Sequence, residues 1–289
     1  AVSGLRAEKV LRQLIYVDNG TGTSTANLAG YAAFLREFDR LTYDRFTKDP
    51  NSLIEFFEMT GTMFDQDGIG VPTSGDGDEN ILNVASNQWR YYCEGATAGD
   101  PAGSDLTNGF DINRGSETSG DGIEFSAEIG ALSPQEYVVG QQAFSFKTTV
   151  EVTDVSGSAD FAIGLRIKAA YTDDTSGYTD YAALGWNAAA NPADIDTRTN
   201  LNNAGEVNTD TTLNWADTES HIVEIQVAVD GTATFLVDSV DVSTLTTIPT
   251  FVFDAGDTII PFIKCVSSAN LVGNIYLEKW FSHAGVLSY

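Results

Sequence analysis

From Ile222 to Val229 the side chains divide at a period of two. Ile222, Glu224, Gln226 and Ala228 fall on one face of an extended chain, and Val223, Ile225, Val227 and Val229 fall on the other. Eight residues at that period define a β-strand with one face buried, because a helix would scatter the same residues around its circumference. Asp230-Gly231 follows, a pair that tolerates positive φ, and residues 232–237 form a second extended run. The expectation is a β-hairpin with an apolar face on each strand.

The same pattern extends over most of the chain. Short extended runs occur at 81–85, 88–93, 109–113, 122–129, 143–152, 160–170, 180–187, 221–229, 233–237, 258–266 and 274–282, separated by turns rich in Gly, Asp and Ser. Many strands with almost no helical period between them indicate an antiparallel β-sandwich or barrel. Two long loops interrupt the series, 171–179 and 188–214, the second with room for a strand near 197–202. The first sixty residues differ. Leu5, Val10, Leu11, Leu14 and Ile15 line one stripe of a helix expected over 5–17, with Arg6, Glu8, Lys9, Arg12 and Gln13 off it. Leu28, Tyr31, Ala32, Leu35 and Phe38 do the same for a second helix over about 26–46. Ser52 and Glu55 form a capping-box pair for a short third helix at 53–59, where Ile54, Phe56 and Phe57 suit a strand equally. The reading is therefore mainly β: a helical N-terminal arm, 1–60, and a sandwich domain, 61–289.

Charge narrows the partners. The chain holds 15 basic and 41 acidic residues, a net charge of −26. Residues 1–50 carry seven basic and six acidic residues, leaving eight and 35 for the rest. A surface this acidic is no phosphate binder, so nucleic acid is excluded as a partner. The composition, with six Lys, resembles that of proteins adapted to high salt, where screening removes self-repulsion. No run of 18 apolar residues is present to span a membrane, and the N-terminus lacks the apolar core of a secretory leader. Cys93 and Cys265 are read as two reduced, buried thiols.

From residue 120 onward the order of segments resembles the concanavalin-A/laminin-G-like jelly-roll sandwich. The matching pieces are GDGIEFS (120–126), FSFKTTVEVTD (144–154), DFAIGLRI (160–167), TDYAALGW (179–186), the Trp-led hairpin 215–238 and NIYLEKWFS (274–282). That family includes lectins, glycoside hydrolases and virion surface proteins, so the resemblance implies a fold and leaves the function to the site. Its hydrolases place acids on alternate residues of one strand, and Glu124, Ser126 and Glu128 share a face here. Ser126 stands where the middle acid would be, so these residues are read as a strand face and no catalytic residue is assigned.

Other chemistry is sparse. Asp65, Asp67, Asp76 and Asp78 sit in oxygen-rich loops of calcium type, but none completes a twelve-residue calcium loop. Cys93, Cys265, His221 and His283 lack zinc spacing. No nucleophile elbow or phosphate-binding glycine loop is present. No cofactor is expected, with calcium the one ion the loops suit. Tyr171, Tyr178 and Tyr181, interleaved with Asp and Thr, are the glycan-contact candidates, since aromatic rings stack on the apolar faces of sugars.

The first functional expectation, following the resemblance, is a non-enzymatic virion protein of capsid-decoration or turret type. It would assemble in the host cytoplasm as a homo-oligomer and dock on a major capsid protein or other virion protein through Leu5, Val10, Leu11, Leu14, Ile15, Leu28, Tyr31, Leu35 and Phe38. The alternative is a glycan-binding surface or tail module that recognises host-surface glycans. A glycoside hydrolase ranks below both.

Overall fold

In the computed structural model Val223, Ile225 and Val227 point into an apolar interior, and Glu224 faces the opposite way. The structure describes residues 136–187, 193–267 and 274–284, together with 16–18, 24–26, 53–56, 78–84, 87–94, 104–105, 109–114, 120 and 122–127. Residues 1–52 and 53–289 form two separate compact units.

The second unit is a concanavalin-like sandwich of two antiparallel sheets. The larger sheet runs Val207–Trp215, Ala193–Asn200, Tyr181–Trp186, Ser158–Ile167, Thr258–Ser267, Gly122–Ala127, Asn87–Glu94, Asp78–Val84, with Tyr137–Val138 added beside Thr258–Ser267. The smaller runs Val240–Asp241, Ala233–Val237, Glu219–Val227, Phe144–Val152, Asn274–Ala284, Gly109–Arg114, Ser104–Asp105, with Leu53–Phe56 also paired to Asn274–Ala284. The chain crosses repeatedly between sheets, so strands distant in sequence become neighbours. Period-two alternation sends one set of side chains from each sheet into a shared core.

Aromatic residues bridge the layers. Trp280 of the smaller sheet meets Phe125 of the larger edge-on at 5.6 Å and Phe146 of its own sheet at 4.5 Å. Phe161, Trp186 and Trp215 form a second group, with ring centroids 4.5–5.8 Å apart. Each fully buried ring of this kind contributes about 1.5–3 kcal/mol in area removed from water.

Several expectations are corrected. Tyr16–Asp18 and Ser24–Ala26 form a small antiparallel hairpin, Tyr16 opposite Ala26, at positions assigned to the ends of the first two helices. Tyr16, Val17 and Thr25 are strand formers, and pairing between the two segments wins over the helical stripe. The remaining residues of both helices lie outside the described residues. Leu53–Phe56 is a strand rather than a short helix, because Asn274–Ala284 offers it a ladder, Trp280 opposite Glu55. The long loop 188–214 contains a hairpin of two full strands, Ala193–Asn200 and Val207–Trp215. Its polar sequence hid the alternation, since one face of Ala193–Asn200 meets a polar layer instead of an apolar one. The tight two-residue turn also lies elsewhere: Gly231 does take φ +89°, but within a five-residue loop 228–232. The two-residue reversal is Asp238-Ser239, both with positive φ, between Val237 and Val240. Asp238 offsets that strain by accepting hydrogen bonds from Ile222 N (2.9 Å) and from the His221 ring (Nδ1, 2.8 Å).

Cys93 and Cys265 occupy one row of the larger sheet, with Ile123 between them. Two strand spacings separate their backbones by roughly 9–10 Å, beyond the reach of a disulfide.

Gly185 allows the closest strand approach. A Cβ there would lie 1.9 Å from the Phe161 carbonyl oxygen. Gly185→Ala is expected to cost about 2–4 kcal/mol by forcing apart the ladder between Ser158–Ile167 and Tyr181–Trp186, measurable by urea denaturation.

Candidate functional site

The outer face of the larger sheet departs from what an exposed sheet surface should be. Register places Glu124 beside Lys264, Lys264 beside Ala162, and Ala162 beside Gly185. The next row is Ser126, Phe262, Gly164, Ala183 and Arg198. Nearly all of this face is buried, including Glu124, Arg166, Arg198 and Lys264. Charged side chains are buried this deeply only when paired.

Two linked networks meet that demand. In the first, Arg166 donates from Nε (2.9 Å) and Nη2 (2.7 Å) to Glu124 Oε1, and the Tyr178 hydroxyl donates to Glu124 Oε2. The Arg166 guanidinium also lies 4.4 Å from the centre of the Tyr178 ring. Lys264 donates to the Thr172 carbonyl and stands 4.0 Å from the Tyr171 ring centre. In the second, Arg198 binds Asp160, Glu206 (2.9 Å) and the carbonyls of Trp186 (2.9 Å) and Phe161 (3.0 Å). The Tyr181 hydroxyl donates to Glu206. Burial, and then the Glu124 carboxylate, push the Tyr178 hydroxyl well above its ordinary pKa, and burial and Glu206 do the same for Tyr181. Both phenols therefore stay protonated and act as donors. Burial alone would lower the Arg198 pKa, but Asp160 and Glu206 raise it above its ordinary value.

The loop 168–180 crosses this face as a strap. Thr175 donates through N and Oγ1 to Asp160, both at 3.2 Å, and Tyr178 packs edge-on against Phe262 at 6.0 Å. A single 3-10 turn, Thr175–Gly177, shapes its tip. At the rim Tyr171 stacks on Tyr92 with ring centroids 3.3 Å apart, both half-buried, next to exposed Asp173 and Asp174.

These positions revise the site expected from sequence. Tyr178 and Tyr181 are buried, so neither offers a ring face to an outside sugar, and Tyr171 alone of the three reaches the rim. Glu124 and Ser126 do share a face, as alternation requires, but both are buried, and each Glu124 oxygen holds a hydrogen bond. Glu128 lies outside the described residues, as do the nine arm residues and Asp65, Asp67 and Asp76. Asp78 opens a strand. His221 sits between Asp238 and Glu219 against Trp215, closing a corner of the sandwich. The best-placed oxygen ligands lie elsewhere: carboxylate oxygens of Asp180, Asp254 and Asp257 come within 4.8 Å of one another. Asn202 donates to Asp180 (2.7 Å) and Asp254 (2.9 Å), and burial together with the two neighbouring acids raises the Asp257 pKa.

Sequence reading missed Arg166, Arg198 and Lys264. Their signal was rarity: only eight basic residues follow residue 50, and Arg166 and Lys264 interrupt strongly apolar strands.

Solved structures with similar folds span different activities. The carbohydrate recognition domain of Emp47p matches at 14% identity and a TM-score of 0.45, over 71% of this chain and 91% of that one. The globular domain of T. cruzi calreticulin matches at 8% and 0.43, over 81% and 88%. A Trypanosoma rangeli sialidase matches at 11% and 0.39, over 75% and 30%. No family model matches the sequence, and no curated relative does. Likeness at this level is one of architecture and carries no residue across.

Asp196, across from Asp210 at the edge of this face, has its carboxyl pushed up to about 6 by burial and then by Asp210 and Asp194. The folded state therefore holds this proton more tightly than the unfolded chain does. The stabilisation is complete below about pH 4 and is lost as pH rises through 6. Two pKa steps correspond to about 3 kcal/mol, and solvent screening of a part-exposed group reduces this to about 1. Asp196→Asn should raise stability by about 1 kcal/mol at pH 7.5 and leave it unchanged at pH 4, read from urea midpoints at the two pH values.

Proposed function

We propose that this chain is a non-catalytic carbohydrate-recognition module. The observation that carries this reading is the rim pair Tyr171 and Tyr92, stacked and half-buried beside exposed Asp173 and Asp174. A half-buried tyrosine pair at a rim suits contact with the apolar patches of a sugar, and neighbouring carboxylates accept hydrogen bonds from its hydroxyls. Against the hydrolase reading, Ser126 replaces the middle acid and Glu124 is bound by Arg166 and Tyr178. Tyr171→Ala should abolish binding on a glycan array while shifting the melting temperature little. An array blank for the unaltered protein would overturn the reading.

A second reading is a virion surface component, with residues 1–60 docking on a capsid protein and the acidic sandwich facing solvent. Charge favours it: residues 1–50 are close to neutral, while the remainder carries the full negative balance that would repel a like-charged surface. Residues 1–52 are also a compact unit of their own.

Calcium, if bound, would use Asp180, Asp254 and Asp257, whose oxygens suit a hard cation. Millimolar calcium should then raise the melting temperature of the unaltered protein and leave that of Asp254→Asn in place.

A further inference from the structure

The strap 168–180 covers a surface built unlike the rest of the sandwich. Beneath it the floor is made of residues without bulk, Ala162, Gly164, Ala183 and Gly185. Around that floor stand three basic side chains, Arg166, Lys264 and Arg198, and three acidic ones, Glu124, Asp160 and Glu206. One apolar ring, Phe262, and one hydroxyl, Ser126, lie beside them. Small residues in the floor and convergent polar groups at the wall are the composition of a ligand pocket, here filled by the chain itself.

What fills it has a defined chemistry. Tyr178 sets its ring face under the Arg166 guanidinium, meets Phe262 edge-on and directs its hydroxyl to Glu124. Thr172 presents a neutral carbonyl oxygen to Lys264. A ring with an apolar face, a hydroxyl donor and a neutral acceptor is also what a pyranose brings. The strap is held with little apolar anchorage. Among its thirteen residues only Thr175, Tyr178 and Asp180 are buried, and apart from the Tyr171 ring on Tyr92 and the Tyr178 ring on Phe262 its holds on the face are polar. Segments of this kind occupy the low-stability end of a fold and open without global unfolding. Opening also returns buried charges to water, which lowers its cost.

We propose that the strap is an internal stand-in for a sugar. Lifting it, Tyr171 included, exposes a second carbohydrate subsite, formed by Glu124, Arg166, Phe262 and Lys264, for a neutral pyranose beneath the strap. The subsite rests on the carbohydrate reading of the rim and extends it inward. A neutral sugar is favoured over an acidic one because the groups it would replace, the Tyr178 hydroxyl and the Thr172 carbonyl, are themselves neutral.

Lys264 reports opening directly, since it is fully buried while the strap is down. The full chain would be treated with an amine-acetylating reagent and Lys264 modification followed by mass spectrometry. Binding of cellotriose, mannotriose and trigalacturonate would be measured in parallel. Removing the Tyr178 hydroxyl in Tyr178→Phe deletes a hydrogen bond to a carboxylate, so Lys264 should be modified about tenfold faster. The apparent Kd for a neutral trisaccharide should fall by a similar factor, because a larger fraction of molecules is open, about tenfold at most. That trisaccharide should also restore protection of Lys264. Thr175→Val, which cuts the Oγ1 tether to Asp160, should act in the same direction and serves if Tyr178→Phe does not fold. Unchanged Lys264 modification in both variants, faster modification without tighter binding, or preference for trigalacturonate would each overturn the strap proposal. If the unaltered protein binds sugar through Tyr171 and the variants bind equally, the strap proposal falls and the rim reading stands. If none of the proteins binds any of the sugars, both fall.

Discussion

The central strands of the larger sheet are buried on both faces, and most of the architecture follows from accommodating that. One face can be apolar at no penalty, because the smaller sheet supplies Trp280, Phe146, Val223 and Ile225 to pack against it. Among the described residues of 53–289 no third sheet meets the other face. The chain covers it with its own loop and fills the space with ion pairs, a solution that works only if every charge finds a partner. The Glu124–Arg166 pair is the centre of that solution. Removing either member would leave the other charged and dry, at a cost of about 3–5 kcal/mol. Much of the remainder depends on this neutrality: the strap's position, the protonated state of Tyr178, and the small residues that make room for both.

The inner half of this design was legible in the sequence and the outer half was not. Alternation at 222–229 marked the strand and its core face correctly, and the run of turn-separated strands marked a sandwich. The logic is local, since apolar residues at period two need only know which side is dry. The outer face obeys a different logic. Arg166 pairs with Glu124, 42 residues away, and Lys264 with Thr172, 92 residues away. No local period records such partners. For the same reason the loop at 171–179 read as an exposed glycan contact, although Tyr178 points inward. The hairpin in 188–214 was read only in part, as one strand near 197–202, because Ala193–Asn200 packs one face on polar neighbours, which weakens the apolar signal by which strands are recognised.

Short-range signals misled where two local preferences competed. Tyr16 and Val17 fit the end of an apolar helical stripe and also fit a strand, and pairing with Ser24–Ala26 decided for the strand. Leu53–Phe56 had the same ambiguity and was settled by a partner more than 200 residues further along the chain. At Asp238-Ser239 side-chain hydrogen bonds allow a reversal that glycine would otherwise supply, so this tight hairpin lacks the expected residue pair.

The row Cys93, Ile123, Cys265 has a consequence for the chemistry the molecule tolerates. A strand lies between the two sulfur-bearing positions, so no intramolecular crosslink can form without tearing a ladder apart. The sandwich owes none of its cohesion to oxidation, and glutathione or its absence should leave the fold equally intact.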